Sequence, residues 1–165
     1  MSTMLPTSER PARTPATGPI TATLRVTALL AALAITIWIL IAYAGLPETI
    51  PTHFDLSGTA DGWGPKWSIL VLAAVMLLVS VGLAVLSAKP QILNYPVIIT
   101  EHNAQAIYRE GERLMVWALW AMQGIYLGIA WTVLLGGGGV VIGISAAILV
   151  SVVGVGIIRM LRVAR

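Results

Sequence analysis

The chain has 165 residues, 58% of them apolar and only 10% charged, with a mean hydropathy of +0.89. Soluble domains carry about a quarter charged residues, so this balance excludes an ordinary water-soluble enzyme. The formal charge of +3 does not indicate nucleic acid, because the basic residues stand at the edges of apolar runs, where they anchor membrane helices. The absence of cysteine removes disulfides, thiolate metal sites and cysteine nucleophiles.

Residues 1–23 are rich in Pro, Thr, Ser and Ala, show no apolar periodicity, and read as a disordered cytoplasmic tail. Four uncharged apolar stretches follow: Val26 to Ala44, Ser68 to Ala88, Leu114 to Leu135 and Val140 to Ile158. Each is 19 to 22 residues long, and a rise of about 1.5 Å per residue carries such a run across a hydrocarbon core of about 30 Å. The expected fold is therefore all-α: an integral membrane protein of four transmembrane helices. The first run is too long for the apolar core of a signal peptide, so it is read as a retained span. Nine of the ten Lys and Arg residues fall on one side of this topology and only Lys66 on the other. The positive-inside rule then puts both termini and the loop 89–113 in the cytoplasm and the loop 45–67 outside.

The chain divides into the tail 1–23, a first helix pair 24–113 with its two loops, and a second pair 114–165 joined by the turn Gly136 to Gly139 and ending in a basic segment. Gly124 and Gly128 form a GxxxG pair in the third span, as do Gly139 and Gly143 across the turn, and they favour close packing within the monomer over a dimer seam. Gly143, Gly154 and Gly156 offer further small faces. Thr36, Ser80, Gln123 and Thr132 are the main polar residues inside the spans. None is ionisable, which disfavours proton- or ion-coupled transport by this chain alone.

The outside loop, GLPETIPTHFDLSGTADGWGPKW, holds every Asp of the chain. Pro47 and Pro51 forbid a regular helix, so Thr49 to Phe54 reads as extended, with His53 and Asp55 on one side. Gly58, Gly62 and Gly64 punctuate turns, Asp61-Gly62 being a common turn pair. Trp63 and Trp67 suit the aromatic belt of the membrane interface. Three readings stand: a structural cap, a recognition surface for an extracellular peptide or another membrane protein, and a metal or catalytic site built from Glu48, His53, Asp55 and Asp61. The last matches neither a two-His zinc helix nor a complete calcium loop.

In the cytoplasmic loop, Thr100 is a plausible N-cap for a helix from Glu101. Ala104, Ile107, Tyr108 and Gly111 or Leu114 fall at helical spacing, which predicts an amphipathic helix on the membrane surface leading into the third span. His102 reads as a solvated helix residue.

The ordered string Leu46-Pro47, Ile50-Pro51-Thr52-His53-Phe54, Gly58, Asp61-Gly62-Trp63-Gly64 and Lys66 resembles the family of bacterial and archaeal membrane proteins called domain of unknown function 1648. Asn94-Tyr95-Pro96, then Ile99-Thr100-Glu101 and Tyr108, resembles the segment after the second helix of that family. The resemblance spans roughly 26–113. Asp55 stands where the family pattern leads one to expect Asn. The same domain opens the SdpI-type immunity proteins, so the resemblance implies a bacterial plasma-membrane module that binds or shields against something from outside, and singles out His53, Asp61, Trp63 and Lys66. A non-enzymatic recognition, immunity or envelope-stress role is the leading expectation, with the lipid bilayer as partner and no cofactor or nucleic acid. An accessory subunit of a transport system is the alternative, and a metal-dependent membrane enzyme the third.

Overall fold

The computed structural model describes residues 10–14, 17–55 and 58–164. Four long helices dominate: α1 (Pro19–Ala42), α2 (Ser68–Ala88), α3 (Ala104–Leu135) and α4 (Gly139–Val163). All four are long and apolar enough to cross a membrane. Leu30, Ile41, Leu78, Val140 and Val150 are among many large apolar side chains left exposed. In water that surface would be a severe liability, but in lipid it faces a solvent of its own kind.

α3 is the hub of the bundle. It packs against α1, α2 and α4, whereas α4 rests chiefly on α3 and is the least buried span. Gly124 and Gly128 let α4 approach closely: a Cβ at Gly124 would strike Ser145 Oγ, and one at Gly128 would stand 2.7 Å from Ile142 Cγ1. The GxxxG pair therefore serves packing inside the monomer, as expected. Gly156 packs on Leu114, but a Cβ at Gly143 or Gly154 would meet nothing, so the small face expected on α4 is only partly used.

Polar side chains inside the spans tie the helices to α3. Thr36 Oγ1 of α1 lies 2.9 Å from Tyr126 Oη. Gln123 Nε2 donates to Ser80 Oγ of α2 at 2.9 Å, and Ser80 donates to the Met76 carbonyl. Without water to compete, a polar group at membrane depth needs such a partner.

The bundle is mostly helical, as expected, and the loop between α1 and α2 forms a small antiparallel hairpin of β1 (Thr49–Phe54) and β2 (Ala60–Pro65). Two expectations are corrected. The tail 1–23 is ordered in its described part: α1 begins at Pro19, whose ring suits the first helical turn, and Arg10 to Thr14 are hydrogen-bonded to the rest of the chain. Residues 1–9, 15 and 16 of that expectation lie outside the described residues. The segment before the third span is not a separate helix on the membrane surface. It is the first turns of a continuous 32-residue α3, and its apolar stripe, Ala104, Ile107 and Tyr108, is covered by Tyr95, Ile99 and Met160. Enough apolar side chains come from the loop and α4 to bury that stripe within the protein, so it is withdrawn from lipid.

Candidate functional site: the hairpin between the first two helices

Pro47 and Pro51 exclude helix, and β1 follows as an extended strand whose partner is set by Asp61-Gly62-Trp63-Gly64. The register pairs Thr49 with Pro65, Ile50 with Gly64, Pro51 with Trp63, His53 with Gly62 and Phe54 with Ala60, with irregularities either side of His53. A Cβ on Gly62 would stand 2.9 Å from His53 Cβ, and one on Gly64 would stand 2.9 Å from Thr52 Cγ2. Both glycines make room for the strand opposite.

Two cross-strand pairs mark the hairpin. His53 Nδ1 lies 2.6 Å from Asp61 Oδ1, with the side chains 74% and 48% exposed. A surface pair of this kind contributes only about 0–1 kcal/mol, so its effect is to orient the imidazole rather than to hold the fold. At the base, Lys66 Nζ donates to Glu48 Oε1 at 2.8 Å, and the Lys66 amide donates to the Glu48 carbonyl at 2.9 Å. The hydrogen bond to Glu48 raises the Lys66 ammonium above its usual range, against an opposing effect of desolvation and with help from the Glu48 and Tyr43 charges; Nζ sits 5.6 Å from the centre of the Tyr43 ring. Asp55 builds the tip: its Oδ1 accepts from the Thr59 amide at 2.9 Å, and its own amide donates to the Thr59 carbonyl. His53 is thus matched with Asp61 across the strands rather than with Asp55 along one strand. Glu48, His53 and Asp61 fall into separate pairs, and no group of three His, Asp or Glu suited to a metal ion occurs among the described residues.

The tip is locked onto the start of α4, at the same end of the bundle. Gly58 has φ +80°, a conformation reserved largely for glycine, and a Cβ there would overlap Gly139 Cα. A Cβ on Gly139 would stand 2.6 Å from Gly58 O. The two glycines bring the hairpin tip and the start of α4 into backbone contact. Beneath β1 this leaves a notch of about 280 Å³, lined by Ile50, Pro51, Phe54, Leu72, Val133 and Ile142, with His53 among the residues at its wall. Trp63 and Trp67, on β2 and just before α2, are 63% and 58% exposed.

The second motif lies at the opposite end of the bundle. Tyr95 and Tyr108 are buried with ring centroids 6.2 Å apart. Tyr95 Oη donates to the Pro90 carbonyl at 2.7 Å, and burial pushes its phenol well above the usual range. Tyr108 Oη donates to the Pro11 carbonyl. Thr100 and Asn103 bond each other's amides reciprocally, so the helix starts at Ala104, a turn later than expected, while Asn94, Pro96, Glu101 and His102 stay exposed.

Two carboxylates that the sequence analysis did not single out, Glu110 and Glu112, are buried. Glu112 accepts from Arg13, Arg25 and Thr17, and Glu110 accepts from Arg113 and Arg159. The available signal was Glu110-Gly111-Glu112 directly at the start of an apolar span on the basic side: carboxylates there need cationic partners.

A four-helix membrane protein with a β-hairpin capping one end is the class that this architecture defines. Residues 29–77 match the model of a family described as domain of unknown function (DUF1648). That segment runs from within α1 through the hairpin into α2. An uncharacterized protein of Archaeoglobus fulgidus is 32% identical over 65 residues, covering 34% of this chain and 36% of the relative. The match thus spans about a third of that relative's length. No solved structure matches the chain.

Proposed function

We propose that this chain is a non-enzymatic recognition module of the bacterial plasma membrane, with both termini in the cytoplasm and the hairpin outside. The hairpin receives a peptide segment from outside the cell, either a free peptide or part of another membrane protein. One observation carries this reading: a preformed apolar notch lies under β1, with the His53–Asp61 pair beside it and the hairpin tip fixed to α4 by Gly58 and Gly139. An apolar side chain fits the notch, and the polar pair offers a hydrogen-bonding group to the neighbouring backbone. Preorganisation of this kind lowers the ordering cost of binding. Two exposed tryptophans at the interface supply further contact area to an amphipathic partner. Immunity against a membrane-active peptide, or sensing of one, is the physiological setting that this surface supports, in keeping with the resemblance to the opening domain of SdpI-type proteins.

The test is affinity capture from native membranes in mild detergent, read by mass spectrometry, with the wild type beside His53→Ala and Val133→Trp. The second change fills the notch from α3 and leaves the hairpin's own residues unchanged. The expected result is a peptide or membrane protein retained by the wild type and lost from both variants at unchanged melting temperature. The same set of proteins captured by all three would overturn the reading.

A further inference from the structure

At the opposite end of the bundle from the hairpin, residues of α3 and α4 line a second cleft. Its volume is about 290 Å³, and Glu110, Arg113, Leu114, Trp117, Val155 and Arg159 are among the residues that line it. The cleft is polar on one side and apolar on the other. Glu110, with its side chain 9% exposed, holds two arginines from different helices: Arg113 Nη1 donates to it at 2.8 Å, and Arg159 engages it through Nε at 2.7 Å and Nη2 at 3.1 Å. Both guanidinium side chains remain 51% exposed. A guanidinium carries five N–H donors, so the bonds to one carboxylate leave donors over on each arginine. Arg109 lies one helical turn from Arg113 and Arg162 one turn from Arg159, so both helices add further positive charge along the same faces.

We propose that this cleft binds the headgroup of an anionic phospholipid, with the phosphate between Arg113 and Arg159 and the start of an acyl chain along Trp117 and Val155. Charge complementarity selects the headgroup: two arginines face one carboxylate, which leaves a net positive rim suited to a phosphate diester. The adjoining apolar wall selects a lipid over a free phosphate. It continues up α4 through Ile148 and Ile144, which are 49% and 58% exposed on a helix otherwise packed against α3 alone among the larger contacts. Glu110 acts as a positioning residue here, since it fixes two flexible arginines side by side before the lipid arrives. The inference is independent of the hairpin reading.

The test is native mass spectrometry of the full chain released from detergent after incubation with equal amounts of phosphatidylglycerol and phosphatidylcholine. The wild type is expected to retain phosphatidylglycerol over phosphatidylcholine by at least about five-fold, the effect of one arginine at an anionic surface. Arg113→Gln and Arg159→Gln are expected to bring that ratio towards parity. Because either change also loosens Glu110, Val155→Trp is the companion variant: it fills the apolar wall, leaves the ion pairs intact, and is expected to abolish retention at unchanged melting temperature. Glycerol 3-phosphate is expected not to displace the lipid. Equal retention of the two lipids by the wild type, retention unaffected by Val155→Trp, or displacement by glycerol 3-phosphate alone would overturn the proposal.

Discussion

Glu112→Gln is expected to release the N-terminal arm from the bundle. The Glu112 carboxylate, 5% exposed, accepts from Arg13 Nη2 and Arg25 Nη2 at 2.5 Å each and from Thr17 Oγ1 at 2.7 Å. Removing one partner of a fully buried ion pair costs about 3–5 kcal/mol, because a charge is left without compensation. Here the guanidinium side chains are 15% and 17% exposed at the end of the bundle, and long basic side chains can turn their heads to water. The cost therefore falls to about 2–3 kcal/mol. The arm keeps its other ties: Arg10 to the Leu93 carbonyl, Gln105 to the Ala12 carbonyl and Tyr108 to the Pro11 carbonyl. The change thus appears as local opening rather than global unfolding, with the open population raised about 30- to 150-fold. Limited trypsin digestion reads it directly. Arg10 precedes Pro11 and resists the enzyme, so the diagnostic cut follows Arg13. Thr17→Val, which removes one neutral hydrogen bond to the same carboxylate, should raise cleavage by about five-fold, corresponding to about 1 kcal/mol. Cleavage after Arg13 at the wild-type rate in Glu112→Gln would refute the assignment of the arm to this cluster.

Gly58→Ala should lower stability by about 1–3 kcal/mol, through the cost of a left-handed backbone and displacement of Gly139, and a thermal melt in detergent checks it. An unchanged midpoint would show that the tip is not held by α4. Because burial raises the Tyr95 phenol in the folded state above its unfolded value near 10, stability is fully present below about pH 10 and is lost as pH rises beyond it. Tyr95→Phe should sacrifice about 1 kcal/mol at neutral pH, from the bond to the Pro90 carbonyl, and should lose that alkaline slope; equal slopes in the two proteins would count against it. Orientation is checked by labelling on a chain with no background thiol: Thr59→Cys should react with an impermeant reagent in intact cells and His102→Cys should not. The reverse pattern would place the hairpin in the cytoplasm.

Four spans were legible in the sequence because hydropathy and helix length are one-dimensional properties, and α2 occupies Ser68–Ala88, the stretch read from apolarity alone. The extended character of Thr49 to Phe54 was equally local, since Pro47 and Pro51 restrict the backbone whatever surrounds them. The turn at Asp61-Gly62 was not so read correctly: Gly62 lies within β2 and its missing side chain accommodates His53, a demand made by the opposite strand. The partner of His53 was likewise undecidable by spacing, because period-two alternation places Asp55 on its side while strand pairing brings Asp61 to it.

What only the tertiary structure decided are the contacts between residues far apart in the chain. Gly58 and Gly139 are separately unremarkable turn residues until the hairpin tip meets the start of α4. Glu112 looks like one more charge on a polar face until Arg13 and Arg25 converge on it, and Glu110 until α4 delivers Arg159. The physical reason is the same in each case. Apolar burial in lipid is a property of single residues and can be summed along a sequence, whereas satisfying a charge or admitting a backbone requires a particular partner, and the partner is chosen by how the helices pack.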